Sequence, residues 1–328
     1  MPRLIFKAML VFLTAWWLSW GHPALAAEVR KVKLGILSTG SQDFVHAVME
    51  QQKLLQKYNI PYERISILNP PALHLMIAEK TVDIGYGGLT AMARARAEGK
   101  GTLVIYGIFS PVNAVLVPKN SPFKTLADLR GKRVGNFGGA GSATTSIFMA
   151  IAKKWHGLDL QRDLELITAP GPALIGLLDR GELAAALMGT TESLMFPLTG
   201  KYRVLMDLSA EWEKHAGRAP AHVTIATNED FAKAHPDILK RYLMAYLDAV
   251  KYVHGHPQIW QDYAKRIKLT EPGAAEALRD NMGPRIVDKW DKEQIKAEQD
   301  FLEAAREILG PKVLKEIPKG LFTDAYNP

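Results

Sequence analysis

Hydroxyl side chains gather beside glycines at four places in this chain: Ser38, Thr39 and Ser41 around Gly40; Thr90 after Tyr86, Gly87 and Gly88; Ser142, Ala143 and Thr144 after Gly141; and Thr190, Thr191 and Glu192 after Gly189. Glycine lets a ligand approach the backbone, and a helix start offers unpaired N–H groups. The chemistry of such places is capture of an anion or a polar molecule. The clearest case is "KRVGNFGGAGSATTSIF", residues 132–148, which reads as a short strand, a glycine loop and a helix beginning near Ser142.

Bond-making chemistry finds less support. There is no cysteine, no G-x-S-x-G and no H-E-x-x-H, so the common nucleophile and zinc-protease patterns are absent. Gly139-Ala140-Gly141-Ser142-Ala143-Thr144 lacks the third glycine of a dinucleotide fingerprint, and in "GILSTGSQ" Ser41 stands where a P-loop needs lysine. Of the nine histidines none pairs with another at a metal-ligand spacing, and His254-Gly255-His256 reads as charge at a helix C-terminus. Neither a metal nor a cofactor is expected. Each candidate also has a local role open to it: Ser38, Thr39 and Ser41 as helix caps, Gly87 and Gly88 as turn glycines, Glu192 as a first-turn charge.

The elements that must position these residues alternate. "VRKVKLGIL", "ISIL", "VDIGYGG" and "TLVIYGIF" read as strands separated by helical segments, and the pattern resumes from "NAVLVPK" to "YRVLMDLS". That is an α/β chain with parallel-rich sheets. An internal repeat is visible in it: Gly40-Ser41 and Gly141-Ser142 are 101 positions apart (141 − 40), as are Gly88 and Gly189 (189 − 88) and Thr90 and Thr191 (191 − 90). Two similar lobes are expected, residues 28–111 with 223–328 forming lobe 1 and 112–222 lobe 2. Two crossing segments would then act as a hinge. Ligands bind at the carboxyl ends of parallel strands, so the glycine–hydroxyl loops would line a cleft between the lobes. Asn113 lies near the outgoing crossing and His222 near the returning one, and both are placed at that cleft.

Residues 1–26 carry Arg3 and Lys7, an apolar run from Ala8 to Trp20 and an Ala24-Leu25-Ala26 cleavage signature, the pattern of a secretory signal. Its removal lowers the formal net charge from +7 to +5 (7 − 2). No basic block interleaved with aromatics is present, so nucleic acid is not an expected partner. With no cysteine for a lipid anchor or a disulfide, a free, monomeric periplasmic protein is expected.

"VDIGYGG", "SPFKTLADLRGKRVGNFGGAGSATTSIF" and "NEDFAKAHPDILKRYLMAYLDAVKYV" resemble the solute-binding proteins of nitrate, sulfonate and taurine-type ABC transporters, from about Val32 to the C-terminus. The resemblance implies a two-lobed type II periplasmic-binding fold. It also implies capture of a small, anionic ligand and its delivery to an inner-membrane ABC permease with its ATPase. The loop Gly189-Thr190-Thr191-Glu192-Ser193 departs from that group, which often carries a Trp and an acidic–Pro pair there, and this leaves the ligand class open. A TRAP-transporter binding protein shares the "DLRGKRV" type of block. An enzyme resembling the thiamine-pyrimidine synthases shares the fold but needs a cysteine that this chain lacks.

Overall fold

Apolar strands and amphipathic helices follow one another as the sequence pattern requires. The computed structural model describes residues 30–37, 43–139, 142–311 and 314–328. The expected signal segment and the site candidates Ser38, Thr39, Ser41 and Gly141 lie outside the described residues. Val32–Pro328 form one compact unit.

The first stretch runs β1 (Val32–Leu37), α1 (Phe44–Gln51), α2 (Leu54–Lys57), β2 (Tyr62–Ile67), α3 (Pro70–Ala78), β3 (Ile84–Gly88), α4 (Leu89–Ala97) and β4 (Thr102–Phe109). The second runs β5 (Ala114–Pro118), β6 (Arg133–Asn136), α5 (Ala143–His156), α6 (Leu160–Asp163), β7 (Glu165–Thr168), α7 (Gly171–Asp179), β8 (Ala185–Leu187), α8 (Thr190–Leu198), β9 (Tyr202–Asp207) and α9 (Leu208–Ala216). The chain then returns through β10 (Val223–Asn228) and ends in helices: α10 (Glu229–Ala234), α11 (Pro236–Gly255), α12 (Gln258–Arg266), α13 (Ala274–Met282) and α14 (Lys292–Leu309).

Two five-stranded sheets result, ordered β2-β1-β3-β10-β4 and β7-β6-β8-β5-β9. Their pairing is alike: β1 is parallel to β2 and β3, and β6 to β7 and β8, while β10 and β5 each run antiparallel to both neighbours. The repeat is therefore structural. Val32 and Arg133 open β1 and β6, Ile84 and Ala185 open β3 and β8, and both pairs are 101 positions apart (133 − 32, 185 − 84).

Glycines inside the strands admit the helices laid over them. A methyl group at Gly35 would sit 2.6 Å from Leu73, and one at Gly135 would sit 2.8 Å from Leu174. Although β4 ends its sheet, all eight of its residues are buried. Val104 bridges to Phe322, and the Tyr106 ring packs against Tyr246 and Trp290.

The chain passes from the first sheet to the second between Phe109 and Ala114 and returns between Asp207 and Val223. Arg285 braces this passage, donating to the Pro111 carbonyl and to Asp207, each at 2.7 Å. The C-terminal helices do not keep to the first sheet alone: α13 packs on α8, and α14 packs on both α4 and α5.

Candidate functional site

A cleft of about 1080 Å³ opens where strand ends of both sheets lead into helices. From the first sheet it is lined by Gly88, Thr90 and His222, and from the second by Ser142, Ala143, Thr144, Thr190, Thr191 and Glu192, with Asn113 at the crossing. These ten expected residues are brought together. Tyr86 and Gly87 are not among the lining residues. Helices pack on β3 just before its end: Tyr86 is 1% exposed and meets His46 of α1 edge-on, and a methyl group at Gly87 would sit 2.7 Å from Met92 of α4. Gly87 serves helix packing, and its carbonyl accepts from the Thr224 hydroxyl at 2.9 Å.

Among the described residues, the starts of α4, α5 and α8 face this cleft with N–H donors. Gly88 and Gly189, matching positions of the repeat, are the N-caps of α4 and α8, both extended, with φ −67° and −64°. Neither has a side chain to cap its helix; Leu89 N donates to the His222 carbonyl at 3.3 Å, so the N–H groups that the α4 start leaves for water or a ligand are those after Leu89. At α5 the cap is Ser142. Its hydroxyl accepts from Thr145 N at 3.1 Å and donates to Thr145 Oγ1 at 2.8 Å, which in turn donates to Asn136 at 2.9 Å. The serine proton is thereby engaged, and the groups this helix can offer a ligand are the N–H donors of Ala143 and Thr144.

The glycine loop before α5 serves its own cap as well. A methyl group at Gly138 would overlap the Ser142 hydroxyl, and Gly139 has φ +67°, a left-handed conformation that favours glycine.

On the floor of the cleft two polar atoms, Thr90 Oγ1 and His222 Nδ1, are buried and have no protein partner among the described residues. A buried polar atom left unpaired costs about 1–3 kcal/mol, so a bound molecule or water gains by satisfying it. Burial pushes the His222 ring down to about 4, outweighing the opposing influence of the nearby Phe109 backbone, so the ring is neutral at physiological pH. Asn113 gives its amide to the Met188 carbonyl at 2.9 Å and thereby fixes the crossing strand.

Glu192 is the anionic group of the second wall. Its carboxylate fills the space over the backbone at Gly171 and Gly189, which start α7 and cap α8; a methyl group at Gly189 would sit 2.7 Å from Oε2. Positive helix ends favour a carboxylate there.

The sequence reading missed His74, Arg94 and Phe137, which also line the cleft. His74 accepts a hydrogen bond from Gly88 N at 2.9 Å, and burial, with Arg94 adding to it, lowers its ring to about 4. Phe137 is 44% exposed and offers a ring face at the second wall. The start of α3 differs from the other helix starts. Asn69 caps it, but Pro70 and Pro71 remove N–H donors, and the wall continues through Leu68 and Leu75, which are 79% and 61% exposed.

Two α/β sheets of matching order with a cleft at their helix starts define the class of periplasmic-binding-protein folds. The alkanesulfonate-binding protein SsuA from Xanthomonas axonopodis pv. citri, solved bound to MOPS, superposes with a TM-score of 0.68 at 19% identity, covering 89% of this chain and 98% of that one. The chain belongs to the NMT1/THI5 like family, whose pattern matches residues 66–259. A Brucella abortus protein named as a binding protein is 23% identical over 263 residues, 79% of this chain and 76% of that relative. A Haemophilus influenzae protein whose name refers to thiamine biosynthesis is 33% identical over 115 residues, which are 34% of this chain and only 36% of that relative.

Proposed function

We propose that this chain is a periplasmic solute-binding protein that captures a small molecule in the cleft and delivers it to an inner-membrane ABC permease with its ATPase. One observation carries the reading. Helix starts from both sheets open on a single cleft whose floor leaves Thr90 Oγ1 and His222 Nδ1 unpaired. In this reading residues 28–111 with 223–328 form one lobe, 112–222 form the other, and the protein works as an exported monomer. A ligand that touches both lobes only when they approach drives closure by its differential affinity for the closed form.

The donors at the helix starts favour an anionic or acceptor-rich group on the ligand, and Leu68, Leu75 and Phe137 favour an apolar body. The sulfonate named for the X. axonopodis protein fits that description, as do aromatic carboxylates. Nitrate and taurine match the donors but leave the apolar wall wet.

A thermal-shift screen of alkylsulfonates, taurine, nitrate, aromatic carboxylates and pyrimidines tests the reading. A ligand at 100 times its dissociation constant stabilises the fold by about 2.7 kcal/mol. Recovery of the bound compound unchanged is expected. Its chemical conversion would support instead the enzymatic reading suggested by the H. influenzae relative's name, and absence of any stabilising compound would count against the cleft.

A further inference from the structure

Three metal-ligating side chains meet at a place that does not line the cleft. The last turn of α5 carries His156, and α9 carries Glu211 and His215 four residues apart, on one helix face. Because α5 and α9 pack together, His156 Nε2 comes to 3.0 Å from Glu211 Oε1, and His215 Nε2 lies 3.0 Å from the same oxygen. The three ligand atoms all lie within 4.8 Å of one another.

The surroundings fix this arrangement. Trp155 stacks on the His215 ring with centroids 4.8 Å apart and planes 13° apart, and Trp155 in turn packs edge-on against the buried Trp212. The carbonyl end of α5 favours a cation beside His156. The side chains of His156, Glu211 and His215 are 23%, 16% and 30% exposed, so an ion could enter from solvent.

Two imidazole nitrogens converging on one carboxylate oxygen is the donor set of a zinc-class ion. With bonds of about 2.0–2.1 Å, tetrahedral ligand atoms stand about 3.3 Å apart, a few tenths of an ångström more than the two nitrogen–oxygen distances, while the two ring nitrogens lie within 4.8 Å of each other. We propose that His156, Glu211 and His215 form a divalent transition-metal site, filled by zinc with water as the fourth ligand. Two nitrogen donors select zinc over magnesium or calcium, which prefer all-oxygen shells. Binding places an unprotonated Nε2 of each ring on the ion, moving the ring proton to Nδ1 or to solvent. Lys214, whose Nζ is 3.5 Å from Glu211 Oε1, is 66% exposed and free to turn away into water.

The untagged full chain, stripped with a chelator, is titrated with zinc alone against a chromophoric indicator, and cobalt is added separately to report coordination by its visible absorption. One equivalent of zinc, a four-coordinate cobalt spectrum and no competition from magnesium are expected. His156→Ala and His215→Ala should each weaken zinc binding by at least about tenfold while melting as cooperatively as wild type without metal. A wild-type chain that binds neither ion overturns the proposal, and so does zinc binding that either histidine variant leaves unchanged. Because the cobalt spectrum is read on the wild type, the test stands even if a variant folds poorly.

Discussion

His74 Nε2 lies 2.9 Å from the backbone nitrogen of Gly88 and accepts its hydrogen bond, so a side chain of α3 holds the N-cap of α4 in place. The bond exists only while that nitrogen is unprotonated. Position 88 also carries the repeat seen in the sequence, and this tie between α3 and α4 belongs to the first wall alone.

Acid should loosen this wall. The rings of His74 and His222 are both lowered from 6.5 to about 4, so the unfolded chain takes up these protons first. Their contribution to stability is full above about 6.5 and is lost as the pH falls through about 4. His74→Gln should remove one histidine's share of that slope, about 1–3 kcal/mol in total, in urea unfolding followed from pH 7 to pH 4. A slope identical to wild type would refute the assignment.

Alkali acts on a different group. Glu298 is fully buried beneath the returning crossing, accepting from Ala221 N and from Gln294 Nε2 at 2.8 Å each. Burial pushes its carboxyl from 4.5 up to about 8, against those two hydrogen bonds. The folded chain therefore holds this proton longer than the unfolded one, and stability falls as the pH rises from about 4.5 to about 8. Glu298→Gln keeps an acceptor oxygen without the titration and should flatten that limb, raising stability at pH 8 by about 1–3 kcal/mol. A variant that is less stable at pH 8 but not at pH 5 would contradict it.

Ser142 offers a test of cap against ligand contact. Ser142→Ala should cost about 0.5–2 kcal/mol of stability through loss of the α5 cap, and Ser142→Asp should restore most of it. If ligands use the N–H groups of Ala143 and Thr144, the alanine variant retains binding within a few-fold in calorimetry. Loss of binding by more than about a hundredfold would instead put the hydroxyl itself on the ligand.

The apolar wall predicts a chain-length effect. Across linear alkylsulfonates, affinity should rise by up to about 0.8 kcal/mol for each methylene that covers Leu68 and Leu75, then level off. Leu75→Ser should reduce the slope while leaving the shortest member's affinity nearly unchanged. A flat series in the wild type would mean that the tail points elsewhere.

What the sequence made legible was periodic or local. The spacing of Gly88 and Gly189 located two helix starts, because a glycine at a strand end and a hydroxyl two residues later are adjacent in the chain. Tyr86 does not line the cleft because a strand end lies near it while the side chain follows the sheet face, where it is buried. His74 reaches Gly88 from 14 residues away, and only the packing of α3 on β3 makes them neighbours. Glu211 and His215 are one helical turn apart and readable as such, but His156 joins them from 55 residues earlier through the contact of α5 with α9. Ser38, Thr39 and Ser41 lie outside the described residues, so the counterpart of the Ser142 cap in the first half stays an expectation.

The strand orders also set a timetable. The second sheet is drawn from one unbroken stretch, β5 to β9, whereas the first lacks its fourth strand until β10 emerges, and among the described residues β4 pairs with no strand except β10. A chain emerging amino end first can finish its later-made sheet before its earlier-made one. The nascent protein therefore carries an unpaired β4 edge past the synthesis of about a hundred further residues, the interval in which proteases and holding chaperones would find it.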